Sequence, residues 1–447
     1  MKKTLMTILV SGLMLASCSK QEVSDNPLLQ KWDTPFETAP FEKIKVEHYL
    51  PAFEAAIAEH NKEIQAIIDN AEAPTFDNTI AALDYSGETL SKVAGVFFNM
   101  MAANTSEELQ KVNEQVGPMM ATHSDNVSMN AKLFEKIKAV YDAKDSQKYT
   151  GEQLALLEKT YNKFVRSGAL LDAAKQEELR KVNAELTKVE SKFDANLLKE
   201  SKAYQLVIDK EENLKGLPQG EIEKAAALAK QEGKEGKWIF TLDNPSFMPF
   251  VTYADNRDLR KEIFNARVNR CNNGGETDNN ALVAQMSELR AKKAQLLGYE
   301  TFAHYQLEER MAKEPKAVFD LLENLLSYSV KVAKEEAAQF QTMLSKDVPG
   351  AKLEAWDMYY YAEKVRQQKY NFDAELTRPY FEINKVRQGC FDVLTKLYGI
   401  SFTERKDVSV YAEDVLVFEA KNEKGEHVGI LYWDPYTRAS KGGGAWC

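Results

Sequence analysis

Apolar residues recur at helical spacing almost without interruption from residue 28 to about residue 198. Proline and glycine fall at positions that read as boundaries, among them Pro35, Pro40, Pro51, Pro74, Gly87, Gly117 and Gly168. A first half patterned this way cannot be built on sheets, so the fold class it dictates is mainly α. Its clearest run is Leu179, Val182, Leu186, Val189 and Phe193, whose 3-4-3-4 spacing sets one apolar seam on a long helix. The seam covers barely two heptads and suits a helix packed in a bundle better than a free coiled coil. The pattern then breaks. Residues 204–208 and 237–242 read as short strands flanking an alanine-rich helix near residues 221–230. Helical spacing resumes over 257–344, from 356 into 365, and over 384–398. In the tail, residues 415–419 and 427–433 flank Asn422-Glu423-Lys424-Gly425, a β-hairpin signal, and Gly442-Gly443-Gly444 follows. No internal repeat or low-complexity segment interrupts this order.

The start of the chain has its own logic. Met1-Lys2-Lys3 is basic and residues 4–15 form an apolar run, the layout of a bacterial export signal and too short to span a bilayer stably. The run ends in Leu15-Ala16-Ser17-Cys18, which resembles a lipobox: small residues fit the peptidase cleft and the Cys18 thiol is the lipid acceptor. The expected mature chain begins at Cys18, with residues 18–27 as a polar tether. It is exported and lipid-anchored to the bacterial membrane, the outer membrane being favoured by Ser19. A plain secretory signal that happens to contain a cysteine is the simpler alternative.

Direct signs of chemistry are few. Lys and Arg number 58 against 68 Asp and Glu, a net charge of −10, which excludes the positive field that a nucleic-acid partner needs. Four cysteines in 447 residues are no disulfide framework, and none is spaced as Cys-x-x-Cys. The five histidines, His48, His60, His123, His304 and His427, include no His-Glu-x-x-His, the commonest way to set two zinc ligands on one helical face. His304 and Glu308 share a face, but a surface histidine beside two glutamates is the simpler reading, and the other four read as solvent-facing or capping. No nucleophile elbow and no phosphate-binding glycine loop is present.

Several ordered segments nevertheless resemble one family. They begin with Asn26-Pro27-Leu28-Leu29, Trp32, Thr34-Pro35-Phe36 and the run from Ile44 to Phe53. Pro74-Thr75-Phe76-Asp77-Asn78-Thr79-Ile80, Val96-Phe97-Phe98 and Ser167-Gly168-Ala169-Leu170-Leu171 follow. The middle carries Asp278-Asn279, Leu289-Arg290, Leu296-Leu297-Gly298-Tyr299, Trp356-Asp357, Tyr359-Tyr360-Tyr361 and Pro379-Tyr380-Phe381. Leu397-Tyr398-Gly399, Val415 to Phe418 and Gly443-Gly444-Ala445-Trp446 close the series. In order and spacing over most of the chain they resemble the thimet oligopeptidase family of zinc metallopeptidases, in its bacterial peptidyl-dipeptidase and oligopeptidase A branch.

The resemblance implies an elongated, almost wholly helical fold, split by a channel, with a small β-sheet near the C-terminal end. It implies one zinc, held by the histidines of His-Glu-x-x-His and a later glutamate, that polarises the scissile carbonyl of a short peptide. In relatives that motif follows the Gly-Gly-Ala-Trp segment, whereas here Cys447 is the last residue given, with Gly442 where arginine is common. The residues present therefore offer no catalytic and no metal-ligating set, and zinc is expected only in a full-length member. The expected division is residues 1–17 as signal, 18–27 as tether, 28–242 as an N-terminal helical domain and 243–447 as the first part of an incomplete catalytic domain. Gly443, Gly444, Ala445 and Trp446 are the candidate substrate-binding residues, beside strand 427–433, where an extended peptide can add as a strand. Tyr359, Tyr360 and Tyr361 either line the channel or pack. The expected activity is zinc-dependent removal of C-terminal dipeptides by the full-length parent, this chain being inactive alone. The alternative is a non-catalytic peptide-binding or scaffold lipoprotein.

Overall fold

A computed structural model describes residues 25–444, so Cys18, Ala445 and Trp446 lie outside the described residues. Among the described residues the chain is mainly helical with two small antiparallel sheets, as its patterning dictates. It divides into two compact units, each gathered from several chain segments.

The first unit comprises residues 25–191, 288–299 and 394–442. Its helices Tyr49–Asp69, Glu88–Ala103 and Glu107–Ser128 close on one core of Leu28, Tyr49, Phe53, Phe97 and Val116. Helices Ala131–Asp142 and Gly151–Arg166 bury a second core around Leu133, Ile137, Leu157 and Phe164. Side chains set the helix starts. Ser106 accepts from the Leu109 N–H at 3.2 Å and Asn130 from the Leu133 N–H at 3.0 Å, each satisfying an otherwise orphaned amide. Thr75 and Asn78 cap one another reciprocally at the entry to the π-helical turn Phe76–Ala81. Gly168, at φ 98°, turns the chain after helix Gly151–Arg166, and a Cβ there would stand 2.7 Å from Leu179. The helix Ala173–Ala203 buries Leu179, Val182, Leu186 and Val189 of the anticipated seam, with Phe193 only partly covered.

The second unit comprises residues 192–287, 300–393 and 443–444. Strands β1 (Leu206–Ile208) and β2 (Trp238–Phe240) pair antiparallel around the helix Gln219–Gln231. Their apolar faces join Phe247, Phe250 and Ile263 in one core. The helix Asn244–Tyr253, which carries Pro245 at its first turn and Pro249 inside, was not anticipated from the pattern. The expected helical run from 257 is interrupted at the Asn-Asn-Gly-Gly stretch 272–275, after helix Arg257–Val268 and before Asn280–Leu296. Asp357 is fully buried and joins its own turn to helix Arg257–Val268. Arg257 donates to it from Nη2 at 2.7 Å and Nε at 3.0 Å, and the buried Arg260 donates at 3.3 Å. Arg260 also donates to the Ala254 and Asp255 carbonyls and lies over the Tyr360 ring at 3.9 Å. Tyr360 and Tyr361 are buried packing residues, and only Tyr359 of the aromatic run is exposed.

The sheet of the first unit has the order β3 (Ser401–Glu404), β4 (Leu416–Lys421), β5 (His427–Trp433), all antiparallel. The hairpin β4–β5 follows the sequence signal, with a bulge at Ala420/Lys421. Strand β3, four residues long with only Phe402 partly covered, carried no readable alternation.

Candidate functional site

β5 pairs only with β4 among the described residues and so presents a free edge. Which of its groups face outward follows from one hydrogen bond. The Arg405 N–H donates to the Val417 carbonyl at 2.8 Å, so the main-chain groups of Val417 face β3. Tyr432, opposite Val417, is then in a non-hydrogen-bonded pair with β4 and sends its own N–H and C=O away from β4. Ile430, opposite Glu419, does the same by alternation, whereas Leu431 opposite Phe418 bonds inward. Ile430 and Tyr432 therefore offer a ready template for an added strand.

The inner face of this sheet is fixed by charge. Glu419 is buried on β4 and accepts from Arg405 Nη1 at 2.7 Å, with His427 Nδ1 at 3.3 Å. Burial alone would raise the Glu419 carboxyl, but the hydrogen bonds from Arg405 and His427 outweigh it and leave the group below its ordinary value. Phe36 stacks on His427 with ring centres 4.6 Å apart, and the Arg405 guanidinium lies 4.6 Å from the centre of the same Phe36 ring.

Beyond β5 the chain is stitched back onto its own unit. Arg438 grips Asp434 with both Nη atoms at 2.7 Å, reaches Asp414 at 2.9 Å and donates to the Ala103 carbonyl at 2.8 Å. Tyr411 donates to Asp434 at 3.0 Å, and Lys441 to the Asp434 carbonyl at 2.6 Å. Burial would raise the Asp434 carboxyl, but Arg438, Lys441 and Tyr411 together hold it low. Thr105 N–H donates to the Ser440 carbonyl at 2.7 Å and Gly442 N–H to the Ala102 carbonyl at 2.8 Å, locking the segment onto the end of helix Glu88–Ala103. This network was missed in the sequence; its one local trace is the i,i+4 pair Asp434/Arg438. Of the residues expected to bind substrate, Gly443 and Gly444 follow directly and are exposed, Gly444 at φ 115°, where a side chain is disfavoured. Ala445 and Trp446 lie outside the described residues.

The histidines were not all as expected. His60 and His123 are bonded to each other, Nδ1 to Nε2 at 2.8 Å, although they lie on helices Tyr49–Asp69 and Glu107–Ser128 and are 63 positions apart. Ser86 Oγ donates to the Leu83 carbonyl at 2.8 Å, so it must accept from His60 Nε2–H at 3.1 Å. His60 Nδ1 then accepts from His123 Nε2–H, and His123 Nδ1 is buried with no hydrogen-bond partner among the described residues. Both rings are thus neutral, and burial pushes their pKa values below the ordinary histidine range, with Glu63 raising and Lys163 lowering His60 further. His48 caps its own turn by accepting from the Lys45 N–H, and His304 is held by Thr301 at 2.8 Å. A pH effect follows. The unfolded chain takes up protons at these rings as pH falls through about 6.5, while the folded pair resists until lower pH, so stability declines over that window. Urea unfolding at pH 8 and pH 5.5 should show a smaller acid loss in His123→Phe than in the native chain; equal losses would assign the acid sensitivity elsewhere.

The family's zinc finds no seat among the described residues. No three His, Cys, Asp or Glu side chains gather as a metal-binding group there, His60 and His123 use their facing nitrogens on each other, and His427 faces Glu419. Cys271 is buried and Cys390 exposed, both free thiols.

Residues 250–447 match the profile of peptidase family M3. Over 422 residues the chain is 34% identical to a dipeptidyl carboxypeptidase of Escherichia coli, covering 94% of this chain and 62% of that protein. It is 32% identical over 428 residues to oligopeptidase A of the same organism, covering 94% and 62%. An organellar oligopeptidase A of Arabidopsis thaliana is 31% identical over 439 residues, covering 96% and 54%. The chain thus spans less than two thirds of the length of these curated relatives.

Proposed function

Because the chain belongs to the thimet oligopeptidase family, peptidase family M3, we propose that it serves zinc-dependent hydrolysis of short peptides by removal of C-terminal dipeptides. Its contribution is to present the peptide. Residues 243–447 form the first part of the catalytic domain in this reading, and the metal chemistry belongs to polypeptide that the relatives carry outside the matched portion. The observation that carries the proposal is the free edge at Ile430 and Tyr432, next in sequence to the anchored segment 434–442 that leads to Gly443 and Gly444. An extended peptide laid along β5 gains main-chain hydrogen bonds whatever its side chains, which suits an enzyme acting on varied short peptides.

The edge has a clean test. Proline at an outward-facing edge position removes one N–H without breaking a ladder bond, whereas proline at an inward-facing one breaks the sheet. Ile430→Pro should weaken binding of a labelled short peptide about 2- to 10-fold, the worth of one hydrogen bond, with the unfolding midpoint nearly unchanged. Leu431→Pro should lower the midpoint itself. Unaltered peptide affinity in folded Ile430→Pro would remove the edge from the proposal.

The parent activity is tested by reading the coding sequence past codon 447. An open frame reaching His-Glu-x-x-His and a later glutamate supports the enzyme; a stop codon supports a non-catalytic peptide-binding relative. Export and lipid anchoring through Cys18 belong to the same proposal and rest on the apolar run ending in Leu-Ala-Ser-Cys. Acyl labelling that is lost in Cys18→Ser supports it, and a soluble, unlabelled native product overturns it.

A further inference from the structure

The one Asn-Gly pair in the 447 residues, Asn273-Gly274, sits in the exposed loop 272–275 between helices Arg257–Val268 and Asn280–Leu296. Asparagine before glycine is the pairing in which a backbone nitrogen most readily reaches a side-chain amide, because glycine has no Cβ to block the approach. Gly274 takes φ 68°, and a Cβ built there would meet nothing within 4 Å, so the loop leaves this residue open to approach. Both partners of such a reaction are already held by carboxylates. The Gly274 N–H donates to Asp278 Oδ2 at 2.8 Å, and Asn273 Nδ2 donates to Glu200 Oε1. The N–H groups of Asn280 and Gly274 hold the Asp278 carboxyl below the usual carboxylate range, so it stays ionised as a proton acceptor. The same loop closes over a thiol. Cys271 is 4% exposed, and its carbonyl accepts from the Asn279 N–H at 2.8 Å. Burial, with Glu200 beside it, pushes the Cys271 thiol up to about 11. Glu200 pins the loop from both ends, accepting from Asn273 and, at 2.6 Å, from Thr277 Oγ1.

We propose that Asn273 is a self-modifying site: the Gly274 nitrogen attacks Asn273 Cγ with Asp278 as proton acceptor, and the carboxylate that results loosens the loop over Cys271. In the first step the N–Cγ bond forms and the Gly274 proton passes to Asp278. The Cγ–Nδ2 bond then breaks, and Nδ2 leaves as ammonia, taking up one proton through solvent as Asp278 releases its own. Water opens the cyclic imide at either carbonyl, giving aspartate or isoaspartate. The sum is asparagine plus water to an acid plus ammonia, with nothing oxidised or reduced. Deamidation reverses the role of the side chain. An amide that donated to Glu200 becomes an anion facing it, so one hydrogen bond is exchanged for a pair of like charges. Thr277 alone then holds Glu200 on that side of the loop, and the cover over Cys271 opens more often.

The test is peptide mapping of the purified 447-residue chain held at pH 8, where trypsin releases residues 271–290 with Asn273 and Cys271 on one peptide. Asn273 should convert with time to aspartate and isoaspartate, and the glutamine of Asn273→Gln should stay intact. Folded Asp278→Asn keeps an acceptor for the helix start and should convert about 5- to 20-fold more slowly than the native chain. That is below the usual worth of a positioned base, because the Asp278 pKa lies far from the working pH. In urea the two chains should convert at one rate. Alkylation of Cys271 should be about 2- to 10-fold faster in Asn273→Asp than in Asn273→Gln, the worth of one hydrogen bond in the opening of the loop. If Asp278→Asn does not fold, the pH profile of the native chain decides. Its folded rate should rise less steeply than hydroxide concentration, and its rate in urea in proportion to it. An Asn273 that stays intact in the folded chain under conditions that convert it in urea overturns the proposal. So do equal rates in folded native and Asp278→Asn chains, a folded rate proportional to hydroxide, or equal Cys271 alkylation in the two Asn273 variants.

Discussion

Asp357→Ala should destabilise the second unit by about 3–5 kcal/mol. The carboxylate is fully buried and answers two arginines, one of them, Arg260, itself buried with its guanidinium against the Tyr360 ring. Removing the anion strands Arg260 as a charge out of water, and that penalty is larger than the attraction lost. Asp357 also accepts from the Glu354 N–H at 3.1 Å, so the turn leading into helix Met358–Tyr370 loses its cap as well. Urea unfolding read by the tryptophan beside it, Trp356, is the measurement. Arg257→Met serves as comparison, since Arg257 is partly solvated and should cost less. A loss below about 1 kcal/mol in Asp357→Ala would mean that water reaches the site and that the ion pair is not what joins these helices.

The second large effect is expected at Arg438. Its guanidinium holds Asp434 and Asp414 and caps the Ala103 carbonyl at the end of helix Glu88–Ala103. Arg438→Ala should cost about 3 kcal/mol, the lower end of the range for a broken buried pair, because Lys441 and Tyr411 still attend Asp434. Arg438→Lys should recover only part of this, as a point charge cannot reproduce the two parallel bonds to one carboxylate. The functional consequence separates this site from Asp357. Loss of Arg438 frees the segment that leads to Gly443, so peptide affinity should fall in protein that is still folded, whereas Asp357→Ala should leave the β5 edge intact in whatever fraction stays folded. Equal peptide affinity in native and Arg438→Ala protein would show that the segment does not position the peptide.

Much of the fold was legible because helical periodicity is a local signal. The seam from Leu179 to Val189 and the hairpin around Asn422 to Gly425 needed only neighbouring residues to be read. The same locality explains what was missed. Pro245 and Pro249 suppressed the reading of helix Asn244–Tyr253, although the first is tolerated in an opening turn. His60 and His123 meet only after two helices pack, and no spacing rule joins residues 63 positions apart.

The segments that carried the family resemblance have physical roles of their own. The Asn26 side chain donates to the His48 carbonyl at 2.7 Å and accepts from the Leu28 N–H at 3.0 Å, while Trp32 Nε1 donates to the Pro27 carbonyl at 2.8 Å. Asn279 is buried and donates to the Phe193 carbonyl at 3.0 Å. Trp356-Asp357 marks the buried ion pair. These residues build the scaffold, which is why they identify a fold without disclosing its chemistry. At the candidate site the hairpin was readable from neighbouring residues, whereas a free edge at strand 427–433 was expected only from the family resemblance, because edge or centre is a property of the assembled sheet.

The central claim is that this chain supplies the peptide-presenting part of an M3 peptidase and not its metal. The most direct measurement is equilibrium dialysis of the purified 447-residue chain against zinc, with cleavage of a short peptide followed in parallel, with and without a chelator. The account predicts peptide binding, no stoichiometric zinc and no chelator-sensitive release of C-terminal dipeptides. One tightly bound zinc together with cleavage that stops on chelation would contradict it.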